Sequence, residues 1–123
     1  MGYRDGVLKD KSMEFAIRIV KLYKYLAKEK HEIVMAKQLL RAGTAIGAVQ
    51  REGEYAESKA DFVHKYAISQ KECSEVIYWL ELLYQSGYLT PAQHCSMNKD
   101  AEELMKLLTA SIKTAKSSLI TNH

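Results

Sequence analysis

Apolar residues recur every three or four positions along most of the 123-residue chain, which is the spacing of one face of an α-helix. Short polar breaks divide this pattern into four stretches, and we predict helices over residues 12–28, 32–53, 58–86 and 91–116. No stretch alternates apolar and polar residues as a half-buried strand does. Because short links between amphipathic helices favour antiparallel neighbours, the expected fold is all-α, an up-and-down antiparallel four-helix bundle in which residues 1–123 form a single domain.

The predicted first helix separates an apolar stripe from a basic outer face. We expect Asp10 or Ser12 to cap its N-terminus. The apolar stripe consists of Phe15, Ile19, Leu22, Tyr23 and Leu26. The opposite face carries Glu14, Arg18, Lys21, Lys24, Tyr25 and Lys28. The following break, over residues 29–32, contains neither glycine nor proline, so no residue type marks the turn.

The core-facing residues predicted for the other three helices follow the same spacing. In the second helix they are Met35, Leu39, Ala42, Ile46 and Val49. In the third they are Phe62, Tyr66, Ser69, Cys73, Val76 or Ile77, Leu80, and Leu83 or Tyr84. In the fourth they are Met97, Ala101, Leu104, Leu108, Ile112, Ala115 and Leu119.

The predicted second helix contains two glycines, Gly43 and Gly47, one turn apart in a run of small side chains. A glycine inside a helix costs about 1 kcal/mol relative to alanine. We expect close packing of another helix against these glycines to offset that cost. A phosphate-binding loop is disfavoured, because no strand precedes the glycines and no Gly-Lys-Ser/Thr sequence ends the segment.

Capping signals mark the third and fourth helices. Ser58 begins Ser-Lys-Ala-Asp, a capping-box pattern with Asp in place of Glu, and Gly87 suits the left-handed position that follows a helix. Thr90-Pro91-Ala92-Gln93 combines an N-cap, a proline at the first helical position and a capping-box glutamine. The tail over residues 117–123 is expected to fray.

The candidate chemistry is sparse. The chain lacks the Glu-x-x-His motif of di-iron bundles, and its two cysteines, Cys73 and Cys95, lack zinc-site spacing. The four histidines share no spacing with each other or with the cysteines, so no nucleophilic pair is indicated. We therefore expect no enzyme activity, no cofactor and no metal, and we expect Cys73 to pack as a small buried hydrophobe.

The hydropathy of the chain bears on its location. No run of about 18 or more apolar residues is present, so a membrane partner is not expected. The first ten residues lack the apolar core of a signal peptide, which favours a cytoplasmic protein.

The net charge of +3 is too small by itself to indicate a nucleic-acid-binding protein, but its distribution is uneven. Residues 1–30 carry eight basic and four acidic residues, whereas residues 31–89 carry six and eight. The predicted nucleic-acid-binding residues lie on the first and fourth helices, which are neighbours in an up-and-down bundle: Arg18, Lys21, Lys24, Lys28, Lys99, Lys106 and Lys113. Such a surface attracts the phosphates of RNA or DNA. The alternative is a protein-interaction scaffold in which these charges serve solubility only.

The third helix carries more aromatic and charged side chains than the core of one bundle requires. We predict a homo-oligomer interface formed by Lys71, Glu72, Glu75, Tyr78 and Trp79. The aromatic pair could instead stack on bases, but aromatic residues at helical spacing more often serve a core or a subunit interface.

Several stretches of the second and third predicted helices carry a resemblance to a known family: residues 38–48, Glu52, Ser58-Lys59-Ala60-Asp61-Phe62 and Tyr78-Trp79-Leu80-Glu81-Leu82-Leu83. In these stretches the chain resembles the four-helix-bundle proteins encoded in intervening sequences of bacterial 23S ribosomal RNA genes. Lys65, Lys71-Glu72, Glu75 and Gly87-Tyr88-Leu89 extend the resemblance, which spans about residues 13–116. The family often has serine at the position of Ala45 and asparagine at that of Val49, so this chain lacks any polar interaction that those side chains make.

The resemblance implies a homo-oligomer, specifically a pentamer, without catalytic activity. The chain is also distantly similar to accessory proteins of diversity-generating retroelements, which are basic pentameric bundles that bind nucleic acid and a reverse transcriptase. The partners implied are therefore copies of the chain itself, RNA or DNA, and a reverse transcriptase or another protein.

Overall fold

The computed structural model describes the backbone of residues 2–121 and the side chains of residues 2–118. Within this part of the chain there are four helices and no strand. The helices are α1 (Tyr3–Lys28), α2 (Val34–Glu54), α3 (Lys59–Gln85) and α4 (Pro91–Thr121). Each helix packs against the next along the chain, and α4 packs back against α1. The prediction of an all-α four-helix bundle is confirmed.

Helix α1 begins at Tyr3, so the predicted start at residue 12 was wrong. Neither Asp10 nor Ser12 caps the helix: both lie inside it, and the buried Ser12 hydroxyl donates to the Lys9 carbonyl at 3.2 Å. The apolar stripe continues backwards to Leu8, which is fully buried seven residues before Phe15. This extra length places the first turns of α1 beside α2 and brings Asp5 within hydrogen-bonding distance of Tyr66 on α3.

The other helix ends differ less from the prediction. Helix α2 begins at Val34 instead of residue 32, because the Glu32 carboxylate accepts hydrogen bonds from the backbone N–H groups of Met35 and Ala36 and caps the first turn from outside. Helix α4 continues to Thr121. The helix thus extends beyond the expected end at residue 116, since no glycine or proline follows Pro91 to stop it. The fraying expected of residues 117–123 stays a prediction. Residues 122 and 123 lie outside the described residues.

Local turn chemistry explains the connections. Gly87 has φ of +88°, and the Tyr88 N–H donates to the Leu83 carbonyl at 2.9 Å, which is the C-terminal arrangement predicted for α3. Ser58 accepts from the Asp61 N–H at 3.1 Å, and Thr90 and Gln93 cap each other reciprocally. The turn after α1, for which the sequence offered no marker, depends on His31 in the left-handed region at φ of +54°.

The buried core follows the predicted stripes. Phe15, Ile19 and Leu26 of α1 are at most 2% exposed. The other predicted residues that are buried are Leu39, Ala42, Ile46, Tyr66, Ser69, Cys73, Val76, Leu80, Leu83, Met97, Ala101, Leu104, Leu108 and Ile112. The side chain of Leu119 lies outside the described residues. Burial raises the pKa of the Cys73 thiol to about 12, which keeps it protonated and unreactive, as expected of a packing residue.

The two predicted glycines lie where α1 and α2 approach most closely. A Cβ atom added to Gly43 would lie 2.7 Å from Cγ1 of the fully buried Ile19. A Cβ atom added to Gly47 would lie 2.9 Å from the Ser12 hydroxyl oxygen. Both distances are shorter than side-chain carbon atoms tolerate, so these contacts confirm close packing of another helix and identify it as α1.

A buried polar cluster fastens the start of α1 to α2 and α3. The Tyr66 hydroxyl donates to the Asp5 carboxylate at 2.8 Å and accepts from the Gln50 side-chain amide at 2.8 Å. Tyr66 and Gln50 are both fully buried. Burial raises the pKa of the Tyr66 hydroxyl above its ordinary value, with the nearby Asp5 carboxylate acting in the same direction.

We expect Gly43→Ala to lower the free energy of unfolding by roughly 1 kcal/mol or more, because overpacking against Ile19 outweighs the better helix propensity of alanine. Urea unfolding followed by circular dichroism measures the change. Gly6→Ala is the matched control, since no atom lies within 4 Å of its added Cβ, and it should stabilise the protein by up to about 1 kcal/mol. Equal effects of the two substitutions would contradict close packing at Gly43.

We expect Tyr66→Phe to lower the free energy of unfolding by about 1–3 kcal/mol near neutral pH, because it removes the hydrogen bonds of the hydroxyl to the buried Gln50 amide and the half-buried Asp5 carboxylate. The unfolded tyrosine loses its proton near pH 10, whereas the raised pKa keeps the folded one protonated. The stability contributed by Tyr66 is therefore present below about pH 10 and declines at higher pH. Urea unfolding at about pH 8 and about pH 11 measures this effect: the difference in free energy of unfolding between wild type and Tyr66→Phe should be smaller at the higher pH. The control, Tyr55→Phe at an exposed tyrosine, should match the wild type at both pH values. A difference that stays constant would show that the raised pKa does not contribute to stability.

Candidate nucleic-acid interface

Three side-chain contacts define the antiparallel register of α1 and α4. Arg4 Nη1 donates to Thr114 Oγ1 at 3.1 Å, and Lys11 Nζ forms an ion pair with Glu103 at 3.0 Å. Further along α1, Arg18 bonds to Asp100. As residue numbers rise along α1 from 4 to 18, those of their partners fall along α4, so the two helices form one face of the bundle with opposite directions.

Six of the seven predicted basic residues are exposed on this face: Lys21, Lys24 and Lys28 of α1, and Lys99, Lys106 and Lys113 of α4. None of the ion pairs found within residues 2–118 includes any of them. Helical periodicity places both sets on the outer faces of their helices, away from the core stripes. Their ammonium groups therefore face solvent without an acidic partner.

The six lysines do not form one continuous field. The register places Lys21 and Lys24 beside the first turns of α4, and Lys28 lies beyond them at the end of α1. At 1.5 Å per residue, Lys106 and Lys113 follow Lys99 at intervals of about 10 Å along α4. The Lys11–Glu103 ion pair lies between the two ends of the face. The positive charge is densest where the C-terminal half of α1 meets the start of α4.

Arg18, the seventh predicted residue, is engaged within the chain. Its guanidinium forms an ion pair with Asp100 and donates to the Ser96 hydroxyl at 2.8 Å. The charge of Arg18 is thereby neutralised, and its side chain ties α1 to α4. Sequence reasoning missed this role because the partner lies 82 residues away and the register of the two helices was not known.

Four of the five residues predicted for an oligomer interface lie together on α3. Arg41 of α2 forms ion pairs with both Glu72 and Glu75, and the Trp79 indole N–H donates to Glu75 at 3.0 Å. The hydrogen bond from Trp79, together with that from Arg41, holds the pKa of the Glu75 carboxyl below its ordinary value. No local pattern in the sequence indicates that Arg41 completes this cluster, because Arg41 lies 31 and 34 residues from its two partners.

The aromatic part of this surface is open. The Tyr78 side chain is 58% exposed and meets Trp79 edge to face, with the ring centroids 5.0 Å apart. The fifth predicted residue, Lys71, is exposed one turn before Glu75 on the same helix. We name the surface formed by Arg41, Glu72, Glu75, Tyr78 and Trp79 the α3 patch.

A second surface, which the sequence did not indicate, is a groove of about 770 Å³ between α1 and α2 that reaches the start of α3. Apolar side chains of Met13, Ala16, Ala48 and Tyr55 line much of it. Gly47 contributes to its wall, so the small residues that bring α1 close to α2 also leave this surface concave.

Among the side chains described, no three His, Cys, Asp or Glu residues lie close enough to hold a metal ion. Over the same part of the chain, none of the helices combines the length and apolar character that spanning a bilayer requires.

Comparisons with known proteins place this geometry in context. Residues 4–110 match the family model described as the 23S rRNA-intervening sequence protein. The chain is also similar to the crystal structure of a protein with unknown function from the S23 ribosomal protein family of Bacteroides thetaiotaomicron. That match has 55% sequence identity and a TM-score of 0.89, and it covers 89% of this chain and 98% of the other. A search of curated proteins gave no significant match.

Proposed function

This chain belongs to the 23S rRNA-intervening sequence protein family, and we propose that it is a non-enzymatic, homo-oligomeric bundle that binds the RNA or DNA backbone through the basic outer faces of α1 and α4. The observation that carries the proposal is the set of six exposed lysines on these adjacent helices, none of which has an ion-pair partner among the described residues. Lysine acts on phosphate as a flexible point charge, so this arrangement favours backbone contact over base reading.

Self-association is the second part of the proposal. We propose a pentamer, in line with the family resemblance, and assign its contacts to the α3 patch and Lys71. An exposed tyrosine beside a half-buried tryptophan, with charged neighbours already held in place by Arg41, provides the kind of preorganised aromatic centre that protein interfaces use. Five copies would carry five times +3, or +15, and would repeat the lysine-bearing face around the assembly.

The proposal has two further elements. We propose a cytoplasmic location, in line with the proposed binding of RNA or DNA. The similarity to retroelement accessory proteins supports a reverse transcriptase, or another protein, as an additional partner.

One observation favours the alternative function, a protein-interaction scaffold with no role in nucleic-acid binding. The groove between α1 and α2 is apolar along much of its length, and Met13 and Tyr55 in its lining are 47% and 83% exposed. Exposed apolar concavities of this kind are typical of protein-binding surfaces. In the first function the lysines contact phosphates, whereas in the alternative they serve solubility only. A measurement of nucleic-acid binding at several salt concentrations distinguishes the two.

We expect Lys21, Lys24 and Lys28 changed together to Gln to weaken binding to RNA and DNA of any sequence, because each lysine neutralises a phosphate. The slope of log affinity against log salt concentration should fall by about 2–3 per subunit that contacts the strand. Filter binding at several salt concentrations measures this slope. Arg18 is left intact because it ties α1 to α4.

The matched control changes Lys9, Lys37 and Lys116 to Gln, which removes the same charge at exposed positions outside the proposed interface. It should alter the slope far less. If the wild type binds no nucleic acid at low salt, or if the first triple variant binds as tightly as the control, the lysines serve solubility and the protein-interaction scaffold is the better account.

We expect light scattering at micromolar concentration to give a mass near five times 14.0 kDa, or about 70 kDa. Tyr78→Glu should reduce this mass, because it places a charge in the aromatic centre of the α3 patch. Tyr3→Glu is the control, at a tyrosine that is 89% exposed at the start of α1. A wild-type mass of 14.0 kDa would refute self-association. An unchanged mass for Tyr78→Glu would show that the subunits do not associate through the α3 patch.

A further inference from the structure

A second groove, of about 540 Å³, lies between the C-terminal half of α1 and the first turns of α4, at the basic end of the α1–α4 face. Its lining includes the apolar side chains Leu22, Tyr25 and Met97, and polar groups from Arg18, Lys21 and Gln93. We name it the α1–α4 groove. Its volume lies within the range of pockets that hold small ligands, so it has room for one nucleobase with its sugar.

The three apolar side chains give the groove a firm base. Met97 is 5% exposed, and Leu22 and Tyr25 are half-buried and pack on the core cluster. The Tyr25 ring lies 6.0 Å from the Lys30 ammonium group, so a cation already lies near this ring. An aromatic ring on a rigid helix, next to basic side chains, is the usual support for an unstacked base.

The surrounding charges suit a polyanion. Lys21 lies on the rim, and Lys24 and Lys28 follow it along the exposed face of α1. No acidic residue occurs from Pro91 to Lys99, and the first one in α4, Asp100, is neutralised by Arg18. The groove thus combines an apolar floor with a basic residue on its rim, Lys21, that forms no ion pair among the described residues.

The groove between α1 and α2 has the opposite electrostatic character. Its lining holds three acidic residues, Glu52, Glu57 and Asp61, against two basic ones, Arg51 and Lys65. Phosphates are repelled by that excess of carboxylates. Of these two grooves, the α1–α4 groove is the better suited to a nucleic acid.

We infer that the α1–α4 groove holds one unpaired base of single-stranded RNA or DNA, stacked against Leu22 and Tyr25, while the adjoining phosphates lie along Lys21, Lys24 and Lys28. This inference rests on the proposed function and adds to it a preference for single-stranded over double-stranded nucleic acid. A duplex keeps its bases stacked and can use only the lysines, whereas a single strand can place a base in the groove as well. The protein should therefore bind single strands more tightly than duplexes of the same length.

Fluorescence anisotropy with labelled oligonucleotides of about 12 nucleotides, single-stranded or paired with their complement, tests this preference at low salt. Tyr25→Ala should weaken single-strand binding at least about fivefold, the lower range for loss of one base–aromatic stack, and should leave duplex binding unchanged. Tyr25→Phe retains the ring and should bind both forms as the wild type does. Circular dichroism confirms that the variants are folded.

Ala92→Leu provides a second test that removes nothing from the core and adds no aromatic ring on which a base could stack. Ala92 is exposed and lines the groove, so the larger, branched side chain should occupy space meant for the base. Single-strand affinity should fall towards duplex affinity, with duplex binding unchanged. This variant decides the question even if Tyr25→Ala does not fold.

Equal wild-type affinity for single strands and duplexes, or no effect of Ala92→Leu on single-strand binding, would overturn the inference and leave backbone binding by the lysines intact. No binding of either form at low salt would remove the proposed nucleic-acid function together with it. In that case a protein partner becomes the occupant to seek for this face.

Discussion

Ile19 and Ser12 press so closely against Gly43 and Gly47 that a single methyl group at either glycine would overlap them, and this contact fixes the separation of α1 and α2. The position of α1 then determines much of the remaining surface. Its inner side completes the core with Phe15 and Leu26. Its outer side carries the lysines, and its two flanks form one wall each of the α1–α2 and α1–α4 grooves. A shift of α1 would change all of these features together, because protein interiors have little free space to absorb it.

Features encoded by neighbouring residues were predictable from the sequence, and features that depend on distant partners were not. Ser58, Gly87 and Thr90 act on groups within a few residues, so their capping roles were evident before the structure was known. The first turns of α1 depend on Asp5 reaching Tyr66, 61 residues away, and that partnership has no local signal. The turn at His31 also lacks a local signal. His31 has a left-handed backbone conformation that a residue with a Cβ atom rarely adopts, so its residue type does not predict the turn.

In the candidate site, too, local features were predictable from the sequence and contacts between distant residues were not. Exposure of the lysines followed from their position opposite the apolar stripe of each helix, which periodicity alone reveals. The acidic partners of Arg18 and Arg41 required the register of helices that are distant in sequence. These partners change the interpretation of two positions. Arg18 is a structural link between α1 and α4 instead of a phosphate ligand. Arg41, from α2, joins the α3 patch, whose predicted members all lie on α3.

The ion pairs between α1 and α4 also explain how a chain with a net charge of only +3 presents a basic face. Asp100 and Glu103 are the acidic residues of α4 that turn towards α1, and each is paired with a cation of α1. These pairs are exposed, so they contribute little to stability. Their larger effect is electrostatic: they neutralise the two carboxylates of α4 that lie nearest α1, while the six exposed lysines on the outer faces form no ion pair among the described residues. Three or four such lysines bind phosphate weakly in one subunit, so nucleic-acid binding at physiological salt requires several subunits acting on one strand. In the proposed function, assembly through the α3 patch is therefore a condition for nucleic-acid binding and not a separate property.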